Sequence, residues 1–358
     1  MKVLFIGPYR QNDGWSEASR ALINSILTIK EIDLTLRPIF LAGNREITLE
    51  DHFTPLENKI NEHYDVIIQH SLPEFFHWHE GSKNIGFCLS ETNHLEFTPW
   101  ISAMNLMDEI WVSSTVELKS LKNSLCTTPI IIMGEATDTN KFLKSYVHNV
   151  DNFTFYTIGE GERKNFNALL MAFHREFDRN EPVDLLIKSS NLSVDALNQL
   201  KAQFGIYKNL EQYKQEKLVL NRLSEHDLNQ MHMDCNCFVM TSYGEAWCRP
   251  ALDALGFGKT PIVTDNTGTT DFIDNNNGWV VKSYETPCLV QNKPLEYLYT
   301  SRETWFSIDI LELQKAMREA YTNRQLKNKK AAQGIKDINK YSYQNRGKII
   351  RQRLLGDQ

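Results

Sequence analysis

The sequence predicts an α/β protein made of two doubly wound parallel-sheet domains. Three observations carry this. Short apolar strands alternate with amphipathic helices over most of the chain, a pattern that puts helices on both faces of parallel sheets. The alternation breaks in one polar stretch and then restarts. The length, 358 residues, also exceeds the size at which a single hydrophobic core keeps growing.

In the first half, strands are expected at Val3–Ile6, Leu34–Ile39, Val66–Gln69, Asn84–Phe87, Glu109–Val112 and Pro129–Ile132. Helices are expected near Ser16–Ile29, Thr98–Leu106 and Thr115–Ser124. The polar run from Ala136 to Asn152 reads as the linker. Strands then return at Phe153–Ile158, Val183–Lys188, Leu218–Leu220, Phe238–Thr241 and Pro261–Thr264. The helices between them are expected at Asn165–Phe177, Ser193–Phe204 and Ser224–Met233, the last opened by Ser224 with acidic Asp227 three positions on. The expected domains are 1–140 and 150–338, followed by a C-terminal helix in 339–358. Ligands of such sheets bind outside the carboxyl ends of the strands, so a ligand is expected in a cleft between the two domains.

Bulk composition narrows the function. A net charge of -6 argues against wholesale nucleic-acid binding. Residues 324–353 run the other way, with ten Lys or Arg against the single acidic Asp337; a solvated helix face or contact with an anionic surface both fit. The six cysteines show no framework spacing and read as reduced thiols. Cys235-Asn-Cys237 leads into a strand rather than a metal site. Met1–Gly7 reads as a buried strand, not a secretory core, and no run of about 18 apolar residues is present. A cytoplasmic protein is expected, with peripheral membrane association compatible.

The most informative stretch is Ser242-Tyr-Gly-Glu-Ala-Trp-Cys-Arg-Pro-Ala-Leu-Asp253. Pro250 suits a first helical position, so Glu245 lies in the loop before a helix and Asp253 one turn inside it. A helix N-terminus suits a phosphate. Carboxylates beside it suit sugar or ribose hydroxyls, because an ionised carboxylate only accepts hydrogen bonds. The combination reads as a nucleotide-sugar site; the bland alternative is a surface loop entering a core helix.

Other loops fall at the same sheet edges. Gly14 and Ser16 sit where the first strand's loop feeds a helix, without the G-x-G-x-x-G fingerprint of dinucleotide sites. Arg163 and Lys164 follow the first strand of the second domain and could neutralise a diphosphate; Glu160 and Glu162 could equally satisfy them in a solvated loop. Glu91, Asn93 and His94 follow a first-domain strand and are candidates for holding an acceptor. Gly268 lies in a Thr-rich loop, Thr264–Asp271, able to meet the same phosphate or sugar.

Together these segments resemble the GT-B glycosyltransferases of the retaining family 4 type, the glycosyltransferase group 1 family. Gly244–Asp253 with the downstream Gly258-Lys-Thr-Pro-Ile-Val looks like that family's paired-acid motif, and Arg163-Lys-Asn-Phe-Asn looks like its Arg-Lys-Asn helix start. Ser90-Glu-Thr, Trp100 and Asp108-Glu-Ile-Trp-Val-Ser-Ser114 look like a subgroup pattern, and Thr267–Phe272 like the loop before the last major helix. The chain departs from the family in having Asp253 where a second Glu is usual, Glu160 where an Arg is usual, and Met133–Asp138 without Asn-Gly-Val.

The resemblance implies roles. Arg163 and Lys164 would bind the donor diphosphate and Glu245 hydroxyls of the transferred sugar. Asp253 would accept from the ribose. The N–H groups of Ala246, Trp247 and Cys248 would contact sugar or phosphate, with Gly268 beside them and Gly14 and Ser16 closing from the first domain. It implies transfer with retention from a nucleoside-diphosphate sugar to an acceptor hydroxyl, with fixed cations in place of a metal and no resident cofactor. Rival readings are a sugar-nucleotide epimerase of the same shape, a non-catalytic sugar-nucleotide binding module, and a transferase acting on modified DNA bases. Specificity is expected in the loops Leu186–Asn191, Asn221–Leu223 and Ser283–Asp309.

Overall fold

A computed structural model describes residues 1–11, 13–41, 51–143, 152–190, 192–204, 214–290 and 298–356. Parts of the expected linker, and of the loops Leu186–Asn191 and Ser283–Asp309, fall outside these residues. The chain forms two compact units.

The first unit contains β1 (Lys2–Gly7), α1 (Gly14–Ile26), β2 (Asp33–Pro38), the short α2 (Thr54–Glu57), β3 (Val66–His70), β4 (Lys83–Phe87), α3 (Trp100–Met104), β5 (Glu109–Val112), α4 (Thr115–Asn123) and β6 (Ile130–Ile132). Its parallel sheet runs β2-β1-β3-β4-β5-β6. The order reverses between β1 and β3, which makes that gap the topological switch point. Strand burial is near-continuous because both faces are covered: Val3, Phe5, Leu34, Leu36, Val66, Ile68 and Ile85 form one core with Leu22, Ile23 and Ile26 of α1. Asp13 caps α1 by accepting from the Ser16 N–H, and Ser114 caps α4 in a capping box with Glu117.

The second unit begins at Asn140. It contains β7 (Phe153–Ile158), α5 (Phe166–Glu176), β8 (Val183–Lys188), α6 (Val194–Phe204), β9 (Lys217–Val219), α7 (Glu225–Asp234), β10 (Cys237–Met240), α8 (Arg249–Gly256), β11 (Ile262–Thr264), β12 (Trp279–Val281), β13 (Ser283–Pro287), β14 (Thr304–Ile308), α9 (Ile310–Thr322) and α10 (Arg324–Asp337). Its parallel sheet runs β12-β11-β10-β7-β8-β9, with the reversal between β7 and β10. The core gathers Phe155, Leu169, Leu170, Phe173, Leu185, Ile187, Val239 and Ile262 under Leu313 and Met317 of α9. Thus the expected fold class, two doubly wound parallel α/β sheets, is the one observed.

Several elements carry no expectation from the sequence: β12, the antiparallel β13–β14 pair, and α9. β12 is an apolar run of only three residues, too short to stand out, and β13 is largely exposed and polar. Pro250 is the second residue of α8; Arg249 is the first, because Cys248 takes a left-handed conformation (φ 73°) and serves as the N-cap.

The chain returns to the first unit twice. Between β13 and β14 the segment ending at Glu303 is part of it. There Leu298 packs against a cluster containing Phe76, Leu95 and Trp100, and Arg302 lies over the Phe97 ring at 4.7 Å. After α10 the chain enters the first unit again as α11 (Tyr343–Leu355). α11 packs on α1, burying Ile350. The approach is close: a Cβ on Gly347 would lie 2.0 Å from Thr28 Oγ1 and 2.7 Å from the Ser25 carbonyl, so only glycine fits.

Part of the positive charge of the basic segment 324–353 is buried or paired within the protein, while Arg324, Lys329, Lys336, Lys340 and Lys348 are exposed. Lys330 is buried against the carbonyl of Gly278, Arg351 pairs with Glu31, Arg353 pairs with Glu109, and Arg346 is buried beside Gly134 and Glu135.

Candidate functional site

The reversal between β7 and β10 positions the site. Loops leaving the carboxyl ends of these strands carry Gly159–Lys164 and Thr241–Cys248, and the second loop feeds α8. The two loops are stitched together. The Tyr243 N–H donates to the Arg163 carbonyl at 2.9 Å, and Thr241 Oγ1 lies 3.0 Å from each of the Lys164 and Asn165 carbonyls. Asn165 stands at φ 51°, a left-handed position suited to Asn, and its side chain caps α5. Gly159 lets the Lys164 stem lie across the backbone: a Cβ there would come within 2.7 Å of it.

This brings Arg163, Lys164 and Glu245 together. Lys164 Nζ lies 2.5 Å from Glu245 Oε1 and Arg163 Nη1 lies 3.0 Å from the same oxygen. Ser242 Oγ donates to it at 2.6 Å, and Arg163 also donates to the Gly244 carbonyl. The Glu245 side chain is 6% exposed. Burial pushes its acidity towards the neutral form, but the Arg163 and Lys164 charges more than reverse this and hold it at about 2. The two cations share the Glu245 carboxylate in the loop that feeds α8, whose N-terminus adds its own partial positive charge.

Gly268 joins the same place. Its N–H donates to the Glu245 carbonyl at 2.8 Å, so the Thr-rich loop after β11 lies against the Glu245 loop. Ala246, Trp247 and Cys248 are buried between that loop and α8, with the Trp247 ring 4.7 Å from Phe272. Asp253 lies deeper, on the fifth residue of α8. Its Oδ1 is 2.7 Å from Lys141 Nζ. Burial pushes its carboxyl up, and Lys141 with nearby His232 and Arg249 turns the balance, holding it below the usual range.

The remaining candidates belong to the first unit. Gly14 is exposed, and a Cβ there would meet nothing. Ser16 is fully buried, and both its N–H (2.9 Å) and its hydroxyl (2.8 Å) go to Asp13. Glu91 accepts from Tyr299 Oη at 3.2 Å. The neighbouring Ser90 N–H is held by the Glu117 carboxylate at 2.7 Å. The Asn93 carbonyl accepts from Asn123, and the His94 ring meets Phe97 edge-on at 5.5 Å.

Sequence reasoning missed four residues that shape these groups: Ser242, Lys141, Tyr299 and His70. Ser242 and Lys141 lie beside motifs that were legible. Tyr299 reaches Glu91 from 208 positions away, a separation that no local pattern reveals. His70, at the end of β3, is fully buried between the Trp15 and Phe87 rings, with Nδ1 2.7 Å from Ser19 Oγ. Burial pushes its acidity down to about 3. Among the described residues no group of three or more His, Cys, Asp or Glu could hold a metal ion. Among them, too, no helix is long and apolar enough to cross a membrane.

Comparison with known proteins extends this. Residues 138–292 match the family model for glycosyl transferases group 1. That span contains Arg163, Lys164, Glu245, Asp253 and Gly268. No curated protein matches the chain in sequence. Among solved structures, it is similar to a sucrose-phosphate synthase from Thermosynechococcus elongatus (TM-score 0.67, 12% identity, 98% of each chain covered). It is equally similar to the HepE protein of Anabaena in complex with UDP-glucose (TM-score 0.67, 14% identity, 99% of each chain). A third is TarM of S. aureus in complex with fondaparinux, α-GlcNAc-glycerol and UDP (TM-score 0.56, 14% identity, 78% of this chain and 53% of that one). At these identities the likeness is one of fold.

Proposed function

We propose that the protein is a glycosyltransferase that moves a sugar, with retention, from a nucleoside-diphosphate sugar to an acceptor hydroxyl. The observation that carries this is the Arg163–Lys164–Glu245 cluster at the switch point of the second sheet, where a doubly wound fold binds its ligand. The match of residues 138–292 to group 1 glycosyl transferases supports the reading, as does a similar fold holding UDP-glucose.

In this reading the donor diphosphate lies on Arg163 and Lys164, beside the α8 N-terminus. Breaking the bond between the anomeric carbon and the diphosphate leaves negative charge on the phosphate oxygens. Arg163, Lys164 and the α8 dipole are already in place to stabilise that charge, so little reorganisation is needed as it develops. Glu245, kept ionised by the same cations, accepts from sugar hydroxyls. Ala246, Trp247, Cys248 and Gly268 line the loop that meets the sugar and phosphate, and Asp253 accepts from the ribose. The departing phosphate takes the acceptor's proton, on the face it leaves. On the first unit we assign Glu91, Asn93 and His94 to the acceptor and the exposed Gly14 to the donor's diphosphate; Ser16, whose N–H and hydroxyl both go to Asp13, supports α1 beneath it. A cytoplasmic setting suits the use of a nucleotide sugar.

A DNA acceptor has less support, because Lys330 and Arg346 are buried and Arg351 and Arg353 are already paired with Glu31 and Glu109. The test is a thermal-shift screen against UDP, GDP, ADP and their sugars, followed by assay of nucleotide release with and without candidate acceptor glycans. Stabilisation by one nucleotide class and acceptor-dependent release are expected. Turnover to an epimeric nucleotide sugar without any acceptor would transfer the protein to the epimerase reading.

A further inference from the structure

The segment that returns to the first unit between β13 and β14 meets the loop Glu91–Phe97, which follows β4 and carries the residues assigned to the acceptor. It is anchored twice. Leu298 packs on the cluster that contains Phe76, Leu95 and Trp100. Tyr299, itself buried, donates from its Oη to Glu91 Oε2 at 3.2 Å. A rigid turn follows. Glu303 is fully buried, and its two carboxylate oxygens accept from the Thr300 N–H and the Thr300 hydroxyl, each at 2.8 Å. Between them Ser301 takes a left-handed φ of 69°, which a residue with a Cβ keeps only where its surroundings impose it.

This turn sets Arg302 over the Phe97 ring, 4.7 Å from its centre. Arg302 is exposed, and Phe97 is 42% exposed. A guanidinium carries five N–H donors, yet among the described residues Arg302 makes no hydrogen bond and no ion pair. Its neighbour Glu303 directs both oxygens to Thr300. Docking of the segment does not need this charge, because Leu298 and Tyr299 already hold it. The same Phe97 ring meets the His94 ring edge-on at 5.5 Å, and His94 Nδ1 is buried with no hydrogen-bond partner. Buried polar atoms are ordinarily paired, so this nitrogen and the guanidinium are two groups, on one aromatic ring, that a ligand can satisfy. A guanidinium steadied on an aromatic face presents a planar fork, which matches a carboxylate or a phosphate with two parallel hydrogen bonds.

We infer that Arg302 is a specificity-determining residue that binds an oxyanion on the acceptor, which makes the acceptor an anionic sugar bearing a carboxylate or a phosphate. This rests on the reading that the Glu91–His94 loop receives the acceptor. Arg302 pairs with the oxyanion, and His94 Nδ1 takes a hydroxyl of the same sugar. A neutral sugar leaves the guanidinium to water and gains nothing from it, so the arginine separates the two kinds of acceptor.

The experiment titrates glucose, glucuronic acid and glucose 6-phosphate into the wild type, Arg302→Gln and Arg302→Lys, with and without the nucleotide selected by thermal shift, using ligand-observed NMR. The wild type is expected to bind one of the anionic sugars about tenfold more tightly than glucose, the size of one hydrogen bond to a charged group. In Arg302→Gln that preference falls to within about twofold. Arg302→Lys keeps only part of it, because an ammonium is a point charge without the fork. Unchanged glucose binding and circular dichroism report an intact fold. A wild type that prefers neither anionic sugar, or an Arg302→Gln variant that keeps the preference, overturns the inference and leaves the transferase reading in place. Loss of nucleotide affinity in Arg302→Gln also overturns it, since Arg302 would then hold the donor's diphosphate. If no nucleotide stabilises the protein, the transferase reading falls, while a preference lost in Arg302→Gln without nucleotide still assigns the anionic-sugar site to Arg302.

Discussion

A Cβ placed on Gly268 would stand 1.9 Å from the carbonyl oxygen of Ala246. The two loops after β10 and β11 thus meet backbone to backbone, and the Gly268 N–H reaches the Glu245 carbonyl from that contact. The obstructing atoms belong to main chain, so a side chain here cannot be accommodated by rotamer change. Gly268→Ala is expected to cost about 3 kcal/mol of stability, the upper part of the overpacking range. Chemical denaturation measures it. A variant within error of wild type would mean that the loops separate easily.

Lys164→Ala removes one of the two cations facing the leaving diphosphate. Nucleotide release is expected to slow about 100-fold to 1,000-fold, comparable to losing one preorganised electrostatic donor. The assay uses the nucleotide sugar selected by thermal shift. An undiminished rate would take Lys164 out of the chemistry.

Glu245→Gln separates holding the sugar from holding the nucleotide. UDP affinity is expected to hold or rise, because Arg163 and Lys164 lose a competing anion, whereas sugar transfer falls. Stability drops by about 3 kcal/mol, as when one partner of a buried ion pair is removed. The pH dependence follows from sign. Glu245 titrates near 2 when folded against an ordinary 4.5, so its stabilisation is complete above about 4.5 and is lost as pH falls towards 2. Wild type should lose more stability than Glu245→Gln between pH 5 and 3 in denaturant titrations; parallel curves would refute the ion-pair account.

His70 acts in a higher pH window. Its folded value near 3 lies below the ordinary 6.5, so the unfolded chain takes up the proton first. Its neutral, buried state stabilises the fold fully above about 6.5, and that contribution declines as pH falls towards 3. His232, pushed by burial to about 4, behaves in the same direction. His70→Gln is expected to flatten the fall in denaturant midpoint between pH 7 and pH 4.5. A slope equal to wild type would show that His70 gains its proton without unfolding.

Much of this was legible in advance because it is local. Strand runs such as Phe153–Ile158 and Val183–Lys188 are buried on both faces and mostly apolar, and their limits are the observed ones. Glu245 and Lys164 lie in loops at strand ends, where the alternation of strand and helix puts them on one edge. What stayed hidden depends on pairing at a distance. β12 is only three residues long, and β13 carries few apolar residues of its own and gains its place by pairing with β14. The meetings of Tyr299 with Glu91 and of Lys141 with Asp253 join segments 208 and 112 positions apart. The left-handed Cys248 moved the start of α8 by one residue because proline signals only that a helix begins nearby.

The polypeptide's repeated returns to its first unit constrain how such a gene can change. Leu298, Tyr299 and Ile350 are encoded late yet lie against Trp100, Glu91 and Ile26, which are encoded early. A recombination that exchanged everything after the first third with a distant homologue would import these late residues without their early counterparts. Productive chimaeras must therefore inherit both sets from one parent, and an expression fragment cut near residue 290 would strip the early half of its own packing.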